Sequence, residues 1–510
     1  MPSVVHTAIV DDAGLASYRR PLDQLVEERA VDENTFEAVE GPVSEYRRVL
    51  EVSPAGDGTG RHSVTETVFF RIAVPIWHPL FTALFKKAYR DRQPEQGELP
   101  FWAPPQRFNA RSSTILAVLC TLSLLAGYLG TLITQTMTFS ADEFGASRTE
   151  QSMTLAAVRV GVLGALLITA IADRRGRRKL LLLSGLCSVS FAAAGAFTPN
   201  LVALGVTQTV SRGFSTAFAL LITVVAAEET PAGSRAYSVS LLAMTAGLGA
   251  GICLMVLPIA DADPRAWRIL YLVPLLGLLI LRHAARLLPE SRRYSAPHAE
   301  HPKGSHLGRL VLLSLTAFLA AMYSSPASQL QNEFLRTERG FSAAQISAFS
   351  LITGTLGFLG VVVGGRLADT RGRRQIGSIA VVVGATFTTL AYLNSGYLLW
   401  LFATIGFMAG AATIPALGVY GPELFPTAQR GRANGVIQIL AVTGSSVGLL
   451  IAGTIADRSG LGDAMTVLMV APVLVGLVVL KFYPETAGLE LEELNPEDRP
   501  PPLPTLPLSD

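Results

Sequence analysis

Two arginines sit inside long apolar stretches of this 510-residue chain, Arg159 and Arg212. A guanidinium stays charged and offers paired N–H donors, the geometry that recognises carboxylate or phosphate. A charge at the centre of an apolar helix costs at least ~2.5–3.5 kcal/mol, so such residues mark pathways or binding sites. By helical rise, Arg159 lies about 10 Å and Arg212 about 17 Å from the nearer ends of their stretches. Gln208, Arg212 and Ser215 follow at spacings of four and three and share one helix face. Arg159 has an alternative reading, snorkelling or a bond to a backbone carbonyl, with even weight. Tyr128 in the first apolar stretch and Tyr323 and Gln329 in the seventh complete a candidate polar lining for a small substrate.

A second group of chemical residues occurs twice. Ala-Asp-Arg-Arg-Gly-Arg-Arg-Lys runs from Ala172 to Lys179, and Gly-Arg-Leu-Ala-Asp-Thr-Arg-Gly-Arg-Arg from Gly365 to Arg374. Asp173 and Asp369 are 369 − 173 = 196 residues apart. Glu228-x-x-Pro231-x-x-x-Arg235 and Glu423-x-x-Pro426-x-x-x-Arg430 differ by 423 − 228 = 195, as do Glu290 and Glu485, 485 − 290 = 195. Three pairs in one register mean an internal duplication. A single basic loop would do no more than set topology. Acidic partners recurring in both halves favour salt-bridged latches.

These residues need helices to hold them. Half of the chain is hydrophobic and 16% is charged, too apolar for a soluble protein of this length. Runs of about 20 apolar residues predict twelve spanning helices. Six lie near 113–135, 152–172, 180–197, 201–227, 236–258 and 268–288; six more lie near 309–330, 345–368, 376–394, 397–422, 434–456 and 464–483. The predicted architecture is an all-α membrane protein. It has a bundle over 113–288, a connection over 289–308, a bundle over 309–483 and a tail over 484–510. Both basic loops, the connection and the termini then lie on the cytoplasmic side of the cell membrane by the positive-inside rule. Duplicated halves place a substrate site between them, near the midplane. No Asp or Glu falls in the middle of these spans.

Residues 1–112 precede the first span. Residues 1–60 hold twelve acidic and five basic side chains, a balance of 5 − 12 = −7. Phe69, Ala73, Ile76, Trp77, Leu80, Phe81, Leu84 and Phe85 recur at helical spacing, which predicts an interfacial amphipathic helix near 68–88. No signal peptide is expected at the start, and the acidic, Pro-rich stretch from Glu490 is expected to be disordered. Cys120, Cys187 and Cys253 all fall in apolar runs, so no disulfide or metal site is expected. Nothing suggests a cofactor, an enzyme or a nucleic-acid partner, and no GxxxxGK[ST] loop is present for ATP-driven pumping. A small-molecule substrate, the lipid bilayer and a possible coupling ion are the expected partners, with the chain acting as a monomer.

The repeated loops resemble the major facilitator superfamily, and the likeness spans roughly residues 110–490. Pro-Glu-Leu-Phe-Pro-Thr-Ala-Gln-Arg-Gly from Pro422 and Pro-Glu-Thr-Ala-Gly-Leu-Glu-Leu-Glu-Glu-Leu from Pro484 are similar to loop motifs of its sugar-porter and organic-acid branches. The sugar-binding residues of that branch are missing. The resemblance implies a twelve-helix fold and alternating access. It implies one gating network of Asp173, Arg177, Glu228, Arg235 and Glu290, and a twin of Asp369, Arg373, Glu423, Arg430 and Glu485. It also favours a functional Arg212. The expected function is transport of a small polar metabolite, an organic anion above others. A multidrug or metabolite exporter is one alternative, and a transporter-like sensor with a partner-binding arm is another.

Overall fold

The computed structural model describes residues 1–55, 61–90, 100, 102–231, 234–289, 306–418, 420–425 and 427–487. Twelve helices among them are long and apolar enough to cross a membrane. Two shorter helices, α1 (Asp12–Tyr18) and α2 (His78–Arg90), precede them. The first half holds α3 (Ala110–Phe144), α4 (Arg148–Thr169), α5 (Arg177–Phe197), α6 (Leu201–Glu229), α7 (Tyr237–Asp261) and α8 (Trp267–Leu287). The second holds α9 (Leu307–Glu338), α10 (Ala343–Ala368), α11 (Arg373–Leu393), α12 (Gly396–Leu417), α13 (Arg432–Ser459) and α14 (Leu461–Phe482).

The duplication reaches the level of single caps. Ser147 and Glu150 form a capping box at the start of α4, and Ser342 and Gln345 form another at the start of α10. The step is again 342 − 147 = 195. Gly176 and Gly372 end the second and eighth helices with φ of 98° and 100°, a conformation that suits glycine. Equivalent helix pairs also approach backbone to backbone. A Cβ at Gly249 would stand 1.9 Å from Leu124 O, joining α7 to α3; one at Gly444 would stand 2.1 Å from Phe318 O, joining α13 to α9.

The arm differs from the expected interfacial helix. It holds β1 (Ser3–Val10), β2 (Glu27–Ala30), β3 (Thr35–Glu40), β4 (Val43–Pro54) and β5 (His62–Ile72). They form one antiparallel sheet in the order β1-β5-β4-β3-β2. The predicted helix near 68–88 is thus split, with strand up to Ile72 and helix only from His78. The reason is a period of two that competes with the helical one. Val64, Glu66, Val68 and Phe70 are buried on one face of β5, whereas Phe69 points away and is exposed. Phe85 and Tyr89 of α2, four residues apart, then close over that face, Phe85 lying 4.8 Å from Phe70 and 5.1 Å from Tyr89 between ring centroids.

The centre of the arm is charged. Arg48 is fully buried and holds Glu28 at 2.7 Å and Glu66 at 3.2 Å. Its remaining donors reach Tyr18 O at 2.8 Å and Arg20 O at 2.9 Å. Two acids of the acidic arm are therefore internal partners. The arm also docks on the first bundle. Trp77 Nε1 donates to Thr121 Oγ1 of α3 at 2.9 Å, and Tyr237 of α7 donates to Trp102 O at 2.7 Å. An apolar cavity of about 280 Å³ lies between the arm and these two helices.

Candidate functional site

Arg159 on α4 lies near enough to Arg212 on α6 for its charge to bear on the Arg212 guanidinium. Arg212 Nη1 donates to Gly130 O of α3 at 2.5 Å, and its Nε is buried without a partner. Arg159 reaches across to the second half. With the Gln329 amide turned so that its oxygen faces the guanidinium, Oε1 accepts from Arg159 Nε at 2.7 Å and Nη2 at 3.0 Å. Ser325 Oγ donates to the same oxygen at 2.7 Å, and Ser445 Oγ of α13 donates to Ser325 Oγ at 2.5 Å. Among the described residues no carboxylate pairs with either arginine. Two guanidinium groups with no carboxylate partner among the described residues, one of them with an orphaned donor, present hydrogen-bond donors of the kind that carboxylates accept.

Other expected lining residues take different places. Gln208 turns into the first bundle, where its Nε2 lies 3.4 Å from Phe191 O and from Ala192 O. Tyr128 is 3% exposed and donates to Leu270 O at 2.8 Å. Both brace helices rather than join Arg212, because each donates to a carbonyl at a neighbouring helix. Tyr323 donates to Ala385 O at 2.8 Å and lines a cavity of about 460 Å³ within the second bundle. Of the six expected substrate residues, Arg159, Arg212 and Gln329 form one constellation.

On the face of the basic loops, Arg177 pairs with Glu228 and Arg373 pairs with Glu423. Both pairs lie within one half, in the repeat register. Glu485 departs from its expected guanidinium partner. It accepts Arg373 N at 2.8 Å, Arg374 N at 3.2 Å, and Thr486 N and Ala487 N at 3.1 Å each. The chain leaving α14 passes the start of α11, where unpaired N–H groups attract a carboxylate. Gly372 makes room, since a Cβ there would stand 2.6 Å from Glu485 Oε2. Burial alone would raise the Glu485 carboxyl, but the backbone donors outweigh it and hold it below the ordinary value. Among the described residues Arg235 meets none of its expected partners, and its Nε is buried without a partner. Glu290 and the side chains of Asp173, Asp369 and Arg430 lie outside the described residues, as do the stretch from Glu490 and most of the 289–308 connection.

The halves meet at the opposite, distal end. Asp457 at the end of α13 accepts Arg148 N and Thr149 N of α4, each at 3.0 Å. Arg148 also reaches Glu338 at 3.0 Å and Glu333 at 3.5 Å. Arg336 bridges Asp142 at 2.7 Å and Asp261 at 3.0 Å. Sequence reading passed over Glu333. The apolar run fades near residue 330, yet the helix continues through a π-turn over Phe334–Glu338. The capping box at Ser147 was the one available sign that α4 begins beside this end. Among the described residues, Arg148, Arg336 and Asp457 join the halves at the distal end, and the pairs Arg177–Glu228 and Arg373–Glu423 each lie within one half.

The Major Facilitator Superfamily profile matches residues 117–330 and 312–508. The chain belongs to the Major Facilitator Superfamily. Among solved structures, the inward-open xylose transporter XylE from E. coli is similar in fold, with a TM-score of 0.64, 18% identity, and coverage of 76% of this chain and 99% of that one. Among relatives, a probable 4-methylmuconolactone transporter of Cupriavidus pinatubonensis is 25% identical, covering 68% of this chain and 86% of its own length. A cis,cis-muconate transport protein of Acinetobacter baylyi is 24% identical over 65% of this chain and 86% of its own. The MFS-type transporter lnaF of Aspergillus flavus is 29% identical over 202 residues, and the chain spans 40% of its length. This facilitator thus has the fold and relatives of transporters of small metabolites.

Proposed function

We propose that the chain carries a small organic anion by alternating access, with Arg159 and Arg212 as the receiving pair. The observation that carries this reading is the pair itself, two cations at mid-helix with no acidic partner among the described residues and one buried N–H left open. A carboxylate supplies what that donor lacks. Relatives named for 4-methylmuconolactone and cis,cis-muconate support the anionic class. Gln329 then reports binding to the second half, because a carboxylate that takes Arg159 competes with Gln329 Oε1. The basic loops face the cytoplasm of the cell membrane on this reading, and the distal salt bridges close the outer side. The pairs Arg177–Glu228 and Arg373–Glu423 hold the loop ends of each half while the inner side is open.

The test is uptake into proteoliposomes. Labelled cis,cis-muconate should enter and be displaced by unlabelled dicarboxylate, and glucose should not compete. Arg212→Ala should abolish entry without loss of folded protein. Muconate entry unchanged in a well-folded Arg212→Ala protein would sink the reading.

A further inference from the structure

Glu333 is a buried carboxyl that the anion site does not use. It is 3% exposed, on α9, one helical turn beyond Gln329. Arg148 of α4 is 3.5 Å from Oε1, but that guanidinium is shared with Glu338 at 3.0 Å and Ala456 O at 2.9 Å. Oε2 is buried without a donor. The amide of Gln151, also on α4, stands against the same carboxyl, and its Oε1 is likewise buried without a donor. Glu333 Oε2 and Gln151 Oε1, from opposite halves, are thus two buried acceptors that each lack a hydrogen. Leaving a buried acceptor without a donor is unfavourable in the closed state.

The surrounding charge is more negative than positive. Facing this corner are Asp142 from α3, Arg148 from α4, Asp261 from α7, Arg336 and Glu338 from α9 itself, and Asp457 from α13. Arg336 is occupied by Asp142 and Asp261, and the Arg148 backbone by Asp457. Only part of one guanidinium remains to balance Glu333.

We propose that Glu333 is a proton-binding site, loaded from distal water while that face is open and occluded when it closes. The proton converts the carboxylate at −1 to a neutral acid. Its O–H becomes the missing donor, and the Gln151 amide, which can turn over, accepts it. The π-turn just beyond Glu333 is the type of irregularity found where a helix serves function. Protonation therefore favours the distally closed state, and the one-turn link to Gln329 ties it to the arginine site. The meaning of this as proton coupling rests on the transport reading above; proton binding itself does not.

The experiment needs no cargo. Phe197 and Tyr397 lie on distal ends of opposite halves and are 77% and 78% exposed. Spin labels at Phe197→Cys and Tyr397→Cys, in a Cys187→Ser background, report the distal gap by pulsed electron resonance. Acidification should increase the short-distance population. Glu333→Gln, which mimics the neutral acid, should stay closed and lose that response, while Asp263→Asn and Asp463→Asn, at exposed carboxyls outside the distal bridges, should keep it. Removing the cation by Arg148→Gln should move the midpoint about 1 unit or more toward alkaline pH. That variant keeps the proposal testable should Glu333→Gln fail to fold. A gap that ignores pH in the wild type, a Glu333→Gln protein that keeps the response, or an unmoved midpoint in Arg148→Gln would overturn the proposal. The same protein could still take up muconate, so the two ideas fail separately.

Discussion

Arg159 of the first half and Gln329 of the second form a two-pronged hydrogen bond, 2.7 and 3.0 Å from Nε and Nη2 to one amide oxygen. It joins the halves beside the site where Arg212 offers an unused donor. On the transport reading, a charged ligand would compete with this neutral amide for one guanidinium.

Gln329→Leu should remove that competitor and leave Arg159 unpaired. On the transport reading, cis,cis-muconate should bind more tightly while turnover falls, because the cross-half bond no longer helps re-form the empty state. Binding measured by calorimetry and flux measured separately will show whether the two move in opposite directions. A loss of both together would make Gln329 a direct ligand instead.

Arg212→Lys should keep the charge and lose the fork. One charge-assisted hydrogen bond contributes about 1.5–3 kcal/mol, so affinity for the dicarboxylate should fall by about 10- to 100-fold. Equal affinity in the two proteins would place the anion elsewhere.

Glu485→Gln should weaken the cap on α11 by about 1 kcal/mol at neutral pH. The folded carboxyl sits below its ordinary value, so its contribution is complete above that value and is lost as pH falls through the depressed one. The gap in melting temperature between wild type and variant should close in acid. A gap independent of pH would assign the effect to packing.

Gly444→Val should prevent α13 from reaching α9, because a Cβ there would stand 2.1 Å from Phe318 O. Overpacking of this kind costs about 1–3 kcal/mol or more. Gly247→Ala, which meets nothing within 4 Å, is the control and should melt with the wild type. Thermal unfolding in detergent distinguishes them.

Arg48→Ala should unfold the arm while leaving the twelve helices intact. It strands Glu28 and Glu66 without their buried partner, a loss of about 3–5 kcal/mol. Limited proteolysis should then cut residues 1–55 selectively. Resistance equal to the wild type would mean that docking through Trp77 holds the arm instead.

The duplication and the twelve spans were legible in the sequence, as were two mid-helix arginines. Each rests on a local cost that composition must show. An apolar run of about 20 residues has few uses outside a bilayer, and a mid-helix arginine is retained only against a penalty. The repeat register was legible because both halves solve the same capping and turning problem, as Gly176 and Gly372 show. The tertiary structure decided what each polar group meets. Gln208 and Gln329 look alike as polar residues in apolar helices, yet one faces a carbonyl of its own bundle and the other the opposite half. The stretch around Phe69 satisfied both a helical and an alternating pattern, and β4 beside it settled the matter by pairing. Glu333 was hidden for the same reason. Whether a carboxyl beyond an apolar run is solvated or enclosed depends on which helix lies against it, and that partner, α4, is 333 − 148 = 185 residues away at Arg148.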